Sequence, residues 1–412
     1  MINKTGHRRE SGAALVIVLL LLTILSVLVA DFLYRVRVNS YLTGNQLEQV
    51  RAKAVAQAGI NAAKGLLLHS APFNINYRGN FQNQYIKLFQ CRCYTESTLG
   101  DWTGEEFKPE KEQFEQETQL GGQEQGKKGE LLDTPLECGE WSILIQYPIG
   151  EDTLHLEIFD EQARLNLNAL VMRSQNPDEQ GAQENILFKP IVKELFMIRL
   201  RERGIEVDEK LMDELMNSLI DWLDYGTVGG SLDKDLNDSF QDGDRIYSNK
   251  NGPMDTVSEL RMLPGVNEEF YYAVKDFLTV YPMKPDGKDF SLKVNFDLAS
   301  LGVVYALVRG SSYQGDIPGM TEEKAMEYAK QMIQTGIGEN GFLTQRQVDP
   351  DLKPKLNTSG TSFLLNPELP QPRFYHIVSS GITNSGVNYT IEAVVLVTPG
   401  AEQLRFLYWH ES

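Results

Sequence analysis

The chain has 412 residues, 42% hydrophobic and 9% aromatic, which is enough apolar material for genuine cores and room for two or more domains. Its 57 Asp and Glu against 39 Lys and Arg give a net charge of −18, which keeps a folded body soluble and disfavours generic binding to nucleic acid or anionic lipid.

A basic leader (Lys4, His7, Arg8, Arg9) stops at Gly12, and the run from Ala13 to Ala30 carries no charge. As a helix that run spans about 27 Å, close to the hydrocarbon thickness of a bilayer. A secretory signal has a shorter apolar core and a small-x-small exit. Here the exit would read Leu28-Val29-Ala30, with a bulky residue where a small one is needed. The alternative is a cut after Gly12, which makes Ala13 the new N-terminus. No proline precedes Pro72, and Leu47, Val50, Ala54, Ala58, Ala62 and Leu66 recur at helical spacing. The expectation is one helix over 13–68, hydrophobic all round in its first half and amphipathic in its second, with a kink or melted turn near Gly44.

Residues 73–100 read as irregular with a short strand, and the Gln/Glu-rich stretch 104–130 as a mobile or disordered insertion. "EWSILIQYP" and "DTLHLEIFD" alternate apolar and polar residues about a turn at 148–151, which predicts a hairpin. "ARLNLNAL" adds a third strand or strand end. From about 180 to 335 the patterns are helical: "ILFKPIVKELFMIRLRERG", "EKLMDELMNSLIDWLD", "NEEFYYAVKDFLTVYP", "FDLASLGVVYALVRG" and "TEEKAMEYAKQMIQTG". "TVSELRMLPG" opens with Thr256 and Glu259 at capping-box spacing. Near residue 374 strands return, "RFYHIVSSG" and "NYTIEAVVLV" flanking "ITNSG", and "EQLRFLYWH" closes the sheet. Strands, then helices, then strands predict an α+β fold: an all-helical domain inserted into an antiparallel sheet that packs on the long N-terminal, transmembrane helix.

Catalysis finds little support. The five histidines have no partner at a telling spacing, and G-x-S-x-G, H-E-x-x-H and phosphate-loop motifs are missing. "SELRMLPGVNEEF" has the outline of a DNA-binding helix-hairpin-helix. Its turn, however, is followed by Asn267, Glu268 and Glu269, and residues 173–309 hold 16 Lys/Arg against 25 Asp/Glu. Phosphate binding needs the opposite sign, so the hairpin reads as packing. The candidate ion site is the Asp-rich stretch 221–244, with Asp233, Asp235, Asn237, Asp238, Asp242 and Asp244. Oxygen-only ligands suit calcium; the competing reading is a solvated loop.

Gly12 followed by Ala13-Ala14-Leu15-Val16, with the apolar helix running into "AKAVAQAGINAAKGLLL", resembles the type IV pilin-like proteins and their prepilin-peptidase site. Those families carry glutamate at the fifth mature position, which here is Ile17. The branch without it is the K-type minor pseudopilin of type II secretion systems. "IFDEQARLNLNAL" (158–170), "LIDWLDYG" (219–226) and "GPMDTVSELRMLPGV" (252–266) resemble that family too.

The resemblance implies a non-enzymatic subunit that caps the tip and helps initiate assembly of the secretion pseudopilus. It implies cleavage between Gly12 and Ala13 by the prepilin peptidase, with methylation of the new terminus. It implies as partners the I-type and J-type minor pseudopilins and the major pseudopilin, and a single-pass anchor in a Gram-negative inner membrane with the body in the periplasm. It also implies a calcium site, favouring that reading of the Asp-rich loop. In an oxidising periplasm the three cysteines allow one disulfide, Cys93–Cys138, with Cys91 as the alternative to Cys93. The division is a leader over 1–12, the helix over 13–68, the first part of the α/β domain over 69–172, the inserted helical domain over 173–345 and closing strands over 346–412. The competing function is a tip binding module of a type IV pilus or DNA-uptake system.

Overall fold

The N-terminal segment forms one continuous helix, α1 (Glu10–His69). The computed structural model describes residues 10–69, 89–91, 136–173, 182–206, 208–223, 239–242, 245–248, 250–281, 293–313, 320–336, 345–356, 363–364, 373–398 and 403–412. After α1 come β1 (Phe89–Cys91), β2 (Trp141–Ile149), β3 (Asp152–Asp160), β4 (Leu165–Asn166), β5 (Val171–Arg173) and β6 (Ala182–Glu184). Next are α2 (Lys189–Glu202), α3 (Glu209–Leu223), β7 (Ser239–Asp242), β8 (Arg245–Ser248), α4 (Glu268–Val274), β9 (Leu278–Thr279), α5 (Leu301–Ser312), α6 (Glu322–Thr335) and the short α7 (Lys353–Leu356). The chain closes with β10 (Arg373–Ile382), β11 (Asn388–Val397) and β12 (Arg405–Glu411).

One antiparallel sheet has the order β1-β2-β3-β10-β11-β12, so the helices lie in sequence between its neighbouring strands β3 and β10. This is an α+β fold with a long apolar helix. The β2–β3 hairpin closes at Ile149↔Asp152, where Gly150 takes φ +66, a left-handed turn conformation open to glycine. Side chains on the two faces of β10 part company. Tyr375 and Ile377 join Val55, Ala56, Ile60, Ala63 and Leu67 of α1 in one core. Phe374, with Val394 of β11, joins the core of the helical body on the other face.

Several expectations are corrected. No break occurs at Gly44, which lies within α1 with open space around it. The stripe expected to be buried points outward: Leu47 is 59% and Val50 65% exposed, and Ala54, Ala58 and Ala62 are exposed as well. The residues that pack are Ala52, Val55, Ala56, Gly59, Ile60, Ala63 and Leu67. Ala52, Ala56 and Gly59 lie where the backbones approach most closely, against Gly381 and Ser379, and Val55, Ile60, Ala63 and Leu67 fill the core around them.

"ARLNLNAL" supplies only the two-residue β4, parallel to β9, between short 3-10 turns. The helix expected from 267 stops at Val274 and passes through a further 3-10 turn into β9. The capping box does not form either. Thr256 heads a 3-10 segment, Val257–Met262, without a side-chain cap, and the Glu259 carboxylate reaches one residue further back, accepting from the Asp255 N–H at 2.8 Å.

Candidate functional site

The exposed length of α1 and its docking seam on the sheet form the first candidate surface. Every residue from Leu15 to Leu47 is exposed, and this segment is long and apolar enough to cross a membrane. Gly12 and Ala13 lie in the opening turns of α1. Ile17, 59% exposed, follows in the uncharged run.

Where α1 meets the sheet, two ion pairs bracket it. Arg51 reaches Asp152 at 3.4 Å on one side, and Lys53 reaches Glu411 at 2.6 Å on the other. The Lys53 ammonium, then the Tyr389 hydroxyl and the Trp409 indole, hold the Glu411 carboxyl down at about 2. Below them the backbones touch. Ser379 Oγ donates to the Ala56 carbonyl at 2.8 Å, and a Cβ on Gly381 would sit 2.0 Å from the Ala52 oxygen.

The three stretches that resemble the K-type family meet in the helical body. The Asn168 amide accepts from Met254 N–H at 2.7 Å and donates to the carbonyls of Met254 at 2.9 Å and Val280 at 3.2 Å. Asn168 is 1% exposed, and these bonds are what make a buried amide tolerable there. Asn166 accepts from Asn168 N–H at 3.1 Å, an Asx turn that sets the local bend. Trp222 Nε1 donates to Glu259 at 3.1 Å, and the Trp222 carbonyl accepts from Gly252 N–H at 3.3 Å. Glu259 also takes both ends of a Lys250 contact, at 2.8 and 3.0 Å.

Asn168 and Glu259 are therefore polar hubs binding residues 158–170, 219–223 and 252–266 into one unit. The signal in the sequence was two asparagines set in the apolar run "LNLNAL". These hubs are saturated by protein groups, and their geometry serves construction.

Of the candidate calcium ligands, Asp242 ends β7 opposite Arg245 of β8, while Asp233, Asp235, Asn237, Asp238 and Asp244 lie outside the described residues. Among the described residues no group of three or more His, Cys, Asp or Glu is placed to hold a metal. Cys91 is a free, buried thiol pushed up to about 12 by burial. Cys93 and the stretch 104–130 lie outside the described residues. His376 is held between Glu161 and Glu392 at the base of the sheet.

Comparison with known proteins gives a match to a family model and likenesses to solved structures. A chain in the crystal structure of the GspK-GspI-GspJ complex from the enterotoxigenic Escherichia coli type 2 secretion system shares 16% identity with this chain. The likeness covers 68% of this chain and 86% of that one, with a TM-score of 0.42. Comparison with curated proteins gives no match. Residues 163–283, from the turn before β4 to just past β9, match the family model for type II secretion system protein K. That span contains two of the three motif stretches whole and most of the third, so the family that matches there is the one the sequence resemblance named.

Proposed function

We propose that the chain is a non-enzymatic minor pseudopilin of K type that caps the tip of the type II secretion pseudopilus and helps to initiate its assembly. The observation that carries the reading is Ile17, an uncharged and exposed residue of the apolar helix where the pilin-like pattern has glutamate. A carboxylate inside a stack of such helices is costly unless paired. In the family resembled, its partner is the N-terminal ammonium of an adjacent subunit. A subunit with nothing above it has no such partner, and a chain with isoleucine there needs none. The helical body between β3 and β10 supports the same reading, because it widens the subunit beside its sheet.

In this proposal the prepilin peptidase cuts between Gly12 and Ala13, and the new terminus is methylated. The helix anchors the chain once in a Gram-negative inner membrane, with the sheet and helical body in the periplasm. The partners are the I-type and J-type minor pseudopilins and, below them, the major pseudopilin. A Cys93–Cys138 bridge and a calcium ion on the 221–244 loop complete the body. Co-expression of the full chain with the I-type and J-type subunits tests the assembly claim. The expected result is a stable ternary complex in detergent; recovery of this chain alone would count against it.

A further inference from the structure

Before it reaches the sheet α1 runs on alone, and the last residue of its uncharged run is Ala30. The first charges after it are Asp31, Arg35 and Arg37, and they are not equivalent. Arg35 Nε reaches back one turn to Asp31 Oδ2 at 2.9 Å, so those two neutralise each other. Arg37 is exposed and, among the described residues, has no ion pair or hydrogen bond. The net positive charge of this short stretch is therefore carried by Arg37, just past the segment able to cross a membrane.

Its neighbours on the same helix face are aromatic. Tyr34, 68% exposed, precedes it by three residues, and Tyr41, 70% exposed, follows it by four. Tyrosines of this kind settle at a membrane–water boundary, with the ring inward and the hydroxyl among the headgroups.

Distances along the helix agree. At 1.5 Å per residue the Arg37 backbone stands about 10 Å beyond Ala30. Long helical side chains lean toward the helix N-terminus, as Arg35 does here. That lean brings a guanidinium at position 37 back about one turn, to roughly 5 Å beyond Ala30. The polar layer of a bilayer fills roughly 5–7 Å on each side of its hydrocarbon.

We infer that the bilayer surface crosses α1 at Tyr34–Arg37, and that Arg37 binds the phosphate of an anionic lipid in the leaflet on the side of the body. The inference rests on the membrane anchoring proposed above. A guanidinium suits this ligand, because its planar fork matches two phosphate oxygens at once. The acidic groups where α1 enters the sheet do not compete for it. Glu48, Asp152 and Glu411 are taken by Ser385, Arg51 and Lys53. Glu48 also lies about 16 Å up the helix from Arg37, two Debye lengths at physiological ionic strength. The acidic body thus neither satisfies Arg37 nor cancels its pull on a lipid phosphate.

Quenching of tryptophan by brominated lipid, with the full chain in vesicles of equal phosphatidylcholine and phosphatidylglycerol, tests this. The four native tryptophans all follow α1 in the chain, so one introduced into the helix reports on the bilayer. Leu25→Trp should be quenched most by lipid brominated deep in the chain, Tyr34→Trp by lipid brominated near the headgroup, and Leu47→Trp by neither. With the bromine moved from phosphatidylcholine to phosphatidylglycerol, Tyr34→Trp at low salt should report about fivefold enrichment of the anionic lipid. Adding Arg37→Gln should bring the two lipids to parity, and Arg37→Lys should keep most of the preference. Enrichment that survives Arg37→Gln, or its absence while Arg37 is present, overturns the lipid site. Tyr34→Trp unquenched while Leu25→Trp is quenched places the surface lower on α1 and overturns the boundary. Leu25→Trp untouched by lipid would refute the anchor itself, and the lipid site with it.

Discussion

Gly381→Ala is the sharpest perturbation of the joint between the anchor helix and the sheet. The added Cβ would lie 2.0 Å from the Ala52 oxygen, 2.8 Å from Ala56 N and 2.9 Å from Val55 Cβ, and two of those atoms are backbone that cannot rotate away. Relief to ordinary contact needs α1 to lift by roughly 1.4 Å, since real Cβ contacts begin near 3.4 Å. That lift stretches the 2.8 Å bond from Ser379 Oγ to the Ala56 carbonyl beyond hydrogen-bonding range. Overpacking costs about 1–3 kcal/mol and the lost bond about 1 kcal/mol, so the variant should lose roughly 2–4 kcal/mol. Chemical denaturation of the full chain in detergent measures it, with Gly44→Ala as control. Gly44 has open space around it in the same helix, and the change there should stabilise by up to about 1 kcal/mol through helix propensity. A Gly381→Ala protein as stable as the wild type would refute the close-approach argument.

Gly12→Val should block leader removal, because the peptidase must fit the residue before the cut into a tight site; an unchanged shift between precursor and mature protein on a gel would sink the assignment. Ile17→Glu should lower secretion and pseudopilus assembly by placing an unpaired carboxylate in the apolar run, read as secreted protein in the medium. Calcium at a hundredfold excess over its dissociation constant should raise stability by about 2.7 kcal/mol, and replacing Asp233 and Asp235 together by alanine should abolish the response; a melting temperature indifferent to calcium and chelator would mean a solvated loop. Arg346→Met should be strongly destabilising in urea. This buried guanidinium donates to the carbonyls of Gly139 at 2.5 Å and of Phe296 and Ala299 at 2.6 Å. Each carbonyl left unsatisfied costs roughly 1–3 kcal/mol.

The order of elements was legible because periodicity and turn chemistry are local. The two hairpins, the helices at 189–202, 209–223, 301–312 and 322–335, and the existence of the long N-terminal helix, though not its passage through Gly44 without a break, all follow from patterns within a few turns of chain. Thr321 illustrates the point: its side chain accepts from Lys324 N–H at 3.3 Å, with Glu322 and Glu323 in the first turn.

What failed depends on partners far away in sequence. The buried face of α1 is fixed by where it crosses Gly381 and Ser379, more than three hundred residues on, which takes Ala52, Ala56 and Gly59 into the contact and leaves Leu47 and Val50 outside. Glu259 has a capping residue's spacing, but Trp222 and Lys250 claim its carboxylate and draw it away from Thr256. Asn168 sat in a run that alternates like a strand, and its partners at 254 and 280 bend that run into turns. The same holds for His376, whose neighbours Glu161 and Glu392 come from the 3-10 turn after β3 and from β11 and leave no spacing to read. The pilin-like start at Gly12 and the three motif stretches could be recognised as a resemblance; their physical meaning, a pair of polar hubs, needed the fold.

The central claim is a position: one copy of this chain at the end of a pseudopilus. The direct measurement is electron microscopy of pseudopili sheared from cells that carry an epitope tag on the exposed C-terminal Ser412, labelled with gold-conjugated antibody. The account predicts gold at one end of each filament and none along its length. Label distributed along the filament, or filaments that form normally without this chain, would contradict it.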